Sequence, residues 1–189
     1  MATVTNFFLG ANSGGGFHSL FHQLTAEAAY DLMILKGCPG CGKSTVGKLL
    51  AESLGKTFVD ADAELVNTYG VDIPTIFAME GEAGFREKET AVLADLGKRA
   101  GLVIATGGGC VTRERNYPLL HQNGTVFWLK RELNKLPSDG RPLSQINKME
   151  DMYRIRKPLY EGFADHIIGN DAAVEDTVAQ IIAKWEEVR

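Results

Sequence analysis

With 189 residues, 44% of them hydrophobic, the chain carries enough apolar material for one good core, and a single domain is expected at this length. A net charge of −4 argues against a nucleic-acid or anionic-membrane surface, since both need a basic face, so any anionic ligand must be held by local positive charge. Three cysteines, Cys38, Cys41 and Cys110, make no even disulfide framework, and the apolar piece Phe7-Phe8-Leu9 is too short for a signal core or a membrane span. A reducing, cytoplasmic setting is the expectation.

Residues 1–30 read differently from the rest. Gly10 to Gly16 is too rich in glycine for a regular element, and Phe17, Leu20, Phe21 and Leu24 mark one amphipathic helix up to Tyr30. A cap on the domain, an oligomer contact and a loosely ordered extension all remain open for it. His18 and His22 stand four apart without a carboxylate motif between them and read as part of a packed helix rather than as metal ligands.

The apolar run Leu32-Met33-Ile34-Leu35 predicts a buried strand, and Val46, Leu49, Leu50 and Leu54 recur at helical spacing after it. Between them Gly37-Cys38-Pro39-Gly40-Cys41-Gly42-Lys43-Ser44-Thr45 fits G-x-x-x-x-G-K-[ST] in its meaningful context of strand, loop and helix. Glycines let successive N–H groups turn inward, and the helix adds its positive end. A nucleoside triphosphate is the expected occupant, held by Gly37, Gly40, Gly42, Lys43, Ser44 and Thr45; Lys43 reaches the outer phosphates and the Ser44 hydroxyl ligates Mg²⁺. Cys38 and Cys41 form C-x-x-C inside a loop that needs its backbone free, so they read as small loop-filling side chains rather than a redox or metal pair.

Strands and helices alternate from Asp31 onward, as in a parallel sheet covered on both faces. A second strand over Lys56 to Val59 delivers Asp60 and Asp62 at its carboxyl end, where open α/β sheets present their ligands. These carboxylates either serve a ligand or cap the next helix. Pro74 sits in the tolerated first turn of a short helix from Ile73, which Glu80-Gly81-Glu82 breaks. A longer helix carries Phe85, Arg86 and Glu89; Arg86 either clamps an anion or pairs with Glu82 or Glu89 on its own face. Leu102 to Ala105 is a third strand, ending in Thr106-Gly107-Gly108-Gly109, a backbone that a neighbour approaches closely or a tight turn. Thr125 to Leu129 is the fourth strand. The stretch 130–145, with Pro137, Gly140 and Pro142, reads as a mobile loop, either a lid or plain solvent-facing chain. A helix then runs toward Pro158 and brings Arg154 and Arg156 to its end, His166 to Ile168 makes a fifth strand, and Val174, Val178, Ile181, Ile182 and Trp185 mark a closing amphipathic helix.

Taken in order, the phosphate loop, Phe58-Val59-Asp60-Ala61-Asp62, Ile73 to Phe77, Gly81-Glu82 with Phe85-Arg86 and Glu89, Gly107-Gly108-Gly109, Arg141-Pro142-Leu143 and Arg156-Lys157-Pro158-Leu159-Tyr160 resemble shikimate kinase over residues 31–189. That resemblance implies a P-loop three-layer sandwich with a five-stranded parallel sheet of order 2-3-1-4-5. It implies ATP-dependent phosphorylation of the shikimate 3-hydroxyl with Mg²⁺; a monomeric or weakly associating enzyme is expected, and the charge balance argues against nucleic-acid or membrane partners. By match to the family's motifs, Arg86 and Arg156 grip the substrate carboxylate, Asp62 holds the ring hydroxyls and accepts the proton of the attacking one, and Gly107, Gly108 and Gly109 let the backbone sit against the ring. Asp60 holds Mg²⁺ through water, Ile73, Phe77 and Phe85 wall the ring, and Arg141 arrives with the lid at the γ-phosphate. Two departures stand out: the lid is shorter than usual, with Asn134-Lys135-Leu136 where an adenine-stacking arginine is expected, and residues 1–30 are atypical. Gly169-Asn170-Asp171 faces adenine by position only. The rivals are a kinase of the same fold acting on gluconate and a nucleotide-binding module whose catalysis is vestigial.

Overall fold

The computed structural model describes residues 31–136 and 143–188. Five parallel strands, β1 (Leu32–Lys36), β2 (Thr57–Asp60), β3 (Leu102–Ala105), β4 (Gly124–Lys130) and β5 (His166–Gly169), form one sheet in the order β2-β3-β1-β4-β5. The central strand pairs on both sides, Ile34 standing opposite Ile104 of β3 and Val126 of β4. A strand buried on both faces has no need to alternate polar and apolar residues, which is why β1 reads as a continuous apolar run. Its odd and even positions still part company. Leu32 and Ile34 enter one apolar layer with Leu65, Phe85, Leu93 and Trp128, while Met33 and Leu35 enter the other with Val46, Leu50, Val178 and Trp185.

Helices α1 (Lys43–Leu54) and α6 (Val174–Glu186) cover the second layer and touch one another. The first is covered by α2 (Ala61–Tyr69), α3 (Ile73–Leu96), α4 (Asn116–His121) and α5 (Leu143–Gly162). Helix starts follow the sequence closely. Asp60 caps α2 by accepting from the N–H groups of Asp62 and Ala63, and Asp72 caps α3 by accepting from that of Thr75 at 2.8 Å, with Pro74 in the first turn. The break expected at Gly81 is a kink with φ 68°, ψ −173°, so the two expected helices meet as one bent element. Two features differ from the sequence reading: α5 runs through Pro158 to Gly162 instead of stopping before it, and the connection from β3 to β4 holds a 3₁₀ turn (Cys110–Thr112) and the short helix α4.

Because β1, β2 and β3 are adjacent and parallel, the chain leaves all three at the same edge of the sheet. The phosphate loop, Asp60 with Asp62, and the triple glycine therefore share one end of the molecule. Among the described residues no helix is long and apolar enough to cross a membrane. Residues 1–30 and Arg141 lie outside the described residues.

Candidate active site

The phosphate loop leaves β1 at Gly37 and ends at Gly42, whose φ of 96° lies in the left-handed region that glycine enters without strain. That geometry turns the chain directly into α1. A β-carbon at Gly42 would also stand 2.9 Å from Asn170 Nδ2. The Lys43 ammonium folds back over the loop, donating to the carbonyls of Gly37 at 3.1 Å and Cys38 at 3.0 Å. Cys38 and Cys41 are buried free thiols in the second apolar layer, as loop-filling side chains should be.

Ser44 Oγ donates to Asp60 Oδ2 at 3.1 Å, while Asp60 Oδ1 accepts from the backbone of Asp62 at 3.1 Å. Capping occupies one oxygen of Asp60 and leaves the other, paired with Ser44, at the mouth of the loop. A hydroxyl and a carboxylate held side by side at the mouth of a phosphate loop are the hard oxygen donors that suit Mg²⁺.

Around the triple glycine the side chains of Asp62, Arg86 and Glu89 converge. A β-carbon on Gly107 would lie 2.9 Å from Asp62 Oδ1 and 3.0 Å from Glu89 Oε1, and one on Gly109 would press on the Arg86 guanidinium, 2.6 Å from Cζ. A methyl group at either place would force these side chains to move. Arg86 is only 8% exposed; its Nη1 donates to Glu89 at 2.8 Å, and its Nε and Nη2 donate to Glu82 at 3.3 and 3.2 Å. Both of the intrahelical partners that the sequence offered are used, and they aim the fork at the glycine turn. Burial depresses the Arg86 pKa, but Glu89 and Glu82 outweigh it and hold the group firmly cationic. Burial, and then the neighbouring Asp60 charge, push the Asp62 carboxyl above its ordinary range, against the pull of Lys43 and Arg86. A carboxylate so raised is a better proton acceptor.

Arg156 and Arg154 separate cleanly. Arg156 Nη1 reaches the Gly108 carbonyl at 3.4 Å, whereas Arg154 points away and pairs with Asp151 on an exposed face. Phe77 and Phe85 stack with centroids 4.6 Å apart, and Ile73 packs at the edge of the same layer.

The comparisons with known proteins agree on one family. A family model described as Shikimate kinase matches residues 39–186. The chain belongs to the shikimate kinase family. It is 42% identical over 162 residues to a shikimate kinase of Thioalkalivibrio sulfidiphilus, covering 81% of this chain and 85% of that one. It is 43% identical over 158 residues to one of Acinetobacter baylyi, covering 78% and 88%. Among solved structures, a shikimate kinase from Acinetobacter baumannii in complex with shikimate superposes with a TM-score of 0.75 at 38% identity, covering 86% of this chain and 97% of that one. The shikimate kinase from Aquifex aeolicus gives 0.72 at 33% identity, with 82% and 96% covered.

In this member of the shikimate kinase family several structural partners escaped the sequence reading. The Asn170 amide is bonded within the protein, on one side to the phosphate loop: Nδ2 donates to the Cys41 carbonyl at 2.6 Å, and Oδ1 accepts from Thr177 Oγ1 at 2.8 Å. Tyr160 donates to the Gly108 carbonyl at 2.6 Å. The pairing of Glu89 with Arg86 was offered by its i, i+3 spacing; what the sequence did not show is that the pair is buried. The start of the expected lid is more ordered in kind than a plain loop: a 3₁₀ turn (Leu133–Lys135) leads to Leu136, which is buried in the second layer. Beside it a groove of about 700 Å³ is lined by Arg131, Leu133, Asn134, Tyr153 and Asp171, among others.

Proposed function

We infer that the protein transfers the γ-phosphate of ATP to the 3-hydroxyl of shikimate, giving 3-phosphoshikimate and ADP, a step of aromatic amino-acid biosynthesis. The observation that carries the reading is the convergence of Arg86, Arg156 and Asp62 on the glycine turn directly beside the phosphate loop. Shikimate needs a cationic grip for its carboxylate and an acceptor for its hydroxyls, and these are the groups present. The relative from Acinetobacter baumannii, solved with shikimate, supports the same assignment.

In the proposed roles Gly37, Gly40, Gly42, Lys43, Ser44 and Thr45 hold the triphosphate. Arg86 and Arg156 pair with the carboxylate, since guanidinium matches it bidentately. Gly107, Gly108 and Gly109 let the ring lie against the backbone. Asp62 orients the 3-hydroxyl and takes its proton as the oxygen bonds to the γ-phosphorus, while the bond to the β-bridging oxygen breaks and ADP departs. Phosphoryl transfer runs through a loose transition state, so positioning and charge supply most of the acceleration and Asp62 a smaller share. Mg²⁺, held by Ser44 and, through water, by Asp60, would neutralise phosphate charge. Arg141 adds positive charge at the γ-phosphate when its segment closes, and closure keeps out water as a competing acceptor. Residues 31–189 form the catalytic unit of a cytoplasmic monomer.

A coupled assay of ADP release tests the reading. With Mg²⁺ and ATP, release should depend on shikimate, not on gluconate, and should be lost in Asp62→Asn. Binding of ATP without shikimate-dependent release would overturn the substrate assignment.

A further inference from the structure

Lys36 is the anomaly of the central strand. It follows Leu32, Met33, Ile34 and Leu35, shares their burial at 1% exposure, and directly precedes the first glycine of the phosphate loop. No ion pair reaches it among the described residues. Its ammonium donates instead to the main-chain carbonyl of Tyr160 and lies over the Phe163 ring, 4.9 Å from the centroid. Burial drags its pKa down to about 7, with Cys110 and then Asp165 pulling it partly back. An apolar side chain would fill this place without that penalty. The amine must therefore be sought in what it holds.

What it holds is the last turn of α5. The Tyr160 carbonyl is one of the terminal acceptors that the helix cannot satisfy itself: the next N–H groups are spent elsewhere, Phe163 on Leu159 and Ala164 on Glu161. A cation at a helix C-terminus is favourably placed. This turn also needs an outside tie, because Pro158 lies within α5 and has no N–H for the carbonyl of Arg154, four residues back. The same turn carries the acceptor-side groups. Tyr160 Oη and Arg156 Nη1 both donate to the Gly108 carbonyl, at 2.6 and 3.4 Å. Gly108 in turn packs on the carbonyl of Gly37, where an added β-carbon would come within 3.1 Å. Lys36, α5, Tyr160, Gly108 and Gly37 thus form a closed circuit that begins and ends at adjacent residues.

We propose that Lys36 is a positioning residue for the acceptor site: by clamping the Tyr160 carbonyl to the root of the phosphate loop it fixes the turn that presents Arg156, and with it the glycine turn, to the substrate carboxylate. The inference rests on the assignment of Arg156 as a shikimate-binding group. Charge strengthens the clamp, because an ammonium donates to a carbonyl more strongly than a neutral amine. The other titratable groups facing Lys36 are Cys110, Asp165 and Tyr160. Burial raises the Cys110 thiol to about 11 and lifts the Tyr160 phenol further, so both stay protonated near neutrality. Asp165 accepts from the Tyr117 hydroxyl at 2.9 Å and lies 3.1 Å from His121 Nε2, so a histidine effect must be separated by a variant.

The test is steady-state kinetics on the full chain. Wild-type turnover of shikimate comes first; its absence would count against the assigned function and not against the clamp. Lys36→Met keeps the volume and removes the donor. Its KM for shikimate should rise about tenfold, the scale of one charge-assisted hydrogen bond, with the KM for ATP within about twofold. The stranded Tyr160 carbonyl lowers the melting temperature and relief of the buried amine raises it, so melting serves here to show that the variant folds. The wild-type KM for shikimate should rise as pH climbs through about 7, a trend that persists in His121→Gln and is flat in Lys36→Met. Tyr160→Phe keeps the carbonyl but cuts the hydroxyl link, so it should raise the same KM, and the double variant should be no worse than the larger single effect. An unchanged shikimate KM in Lys36→Met, or equal rises for ATP and shikimate, would overturn the proposal. If Lys36→Met does not fold, additive pH and Tyr160→Phe effects on the wild-type background would overturn it equally.

Discussion

Gly109→Ala probes the site with a single methyl group. Backbone strain is not the obstacle: Gly109 has φ −99° and ψ −5°, a conformation open to alanine, and the substitution alone should add about 0.4–1 kcal/mol by restricting the unfolded chain. The obstacle is Arg86, whose Cζ and Nη1 would both lie 2.6 Å from the new carbon. Ordinary contact needs about 3.5–4.0 Å, so the guanidinium must withdraw by about 1 Å. Elsewhere the end of an arginine yields cheaply, but here Glu89 and Glu82 hold it from the other side at 2.8 and 3.2 Å. Withdrawal strains a hydrogen bond to a charged group, worth about 1.5–3 kcal/mol, and offsets the entropic gain. The displaced fork also meets the substrate carboxylate badly. Loss of one such bond there corresponds to about a 10- to 100-fold rise in the KM for shikimate. The carboxylate is remote from the reacting hydroxyl, so kcat should fall less than KM rises, and the KM for ATP should stay within about twofold. Kinetics with each substrate varied in turn, alongside thermal melting, measure all of this. An unchanged shikimate KM, or a loss shared equally with ATP, would refute the assignment of Arg86 and its contact with the glycine turn.

Asp62→Asn should lower kcat by about 100-fold or more, the range of a lost general base. Burial and Asp60 raise the Asp62 pKa, so its charge penalises the folded state above that pKa, and the penalty is lost as pH falls through it and below the ordinary 3.8. The variant should therefore melt higher than wild type at pH 7, with the difference vanishing in acid; a lower melting temperature at pH 7 would contradict the desolvation argument. At Asp60 the two oxygens can be told apart: Asp60→Asn retains a capping side chain and should weaken only the response to Mg²⁺ in an activity titration. Asp60→Ala should in addition destabilise the fold by about 1 kcal/mol, read by denaturant unfolding. Asn170→Ala strands the Cys41 carbonyl, at a cost of about 1–3 kcal/mol, and should raise the KM for ATP more than that for shikimate.

Much of the fold was legible because its signals are local. The apolar run of β1, Pro74 in the first turn of α3, and the break at Gly81 each depend on residues within a few positions of one another. The nucleotide end was equally plain, since a phosphate loop is one contiguous segment. The strand order came from family resemblance and not from any local pattern. On the acceptor side the spacing of Arg86 with Glu82 and Glu89 was visible as a choice between ion pair and ligand grip; the structure shows the ion pairs with both carboxylates, beside the glycine turn, and the grip belongs to the proposed function. Arg156 was preferred to Arg154 by family resemblance alone, because both sit near the end of one helix and only its packing decides which faces Gly108.

What sequence could not show are contacts that close over long separations. Tyr160 to Gly108 spans 52 residues, Lys36 to Tyr160 124, and Asn170 to Cys41 129. No periodicity or capping rule encodes such a pairing; it exists only after five strands have stacked in register. Even then the contacts share a logic. Two of them join a loop at the carboxyl edge of the sheet to an element that arrives later in the chain, the third joins the last residue of β1 to α5, and each spends a polar side chain on a main-chain carbonyl. Loops that must present their N–H groups to phosphate and substrate leave carbonyls facing the protein, and an unsatisfied buried carbonyl is costly. Tyr160 meets that need at Gly108 and Asn170 at Cys41, while Lys36 meets the same need at the end of α5. A phosphate or substrate loop therefore implies donors behind it, and a buried donor that reaches such a loop from a distant element, as Asn170 does, is where to look for them.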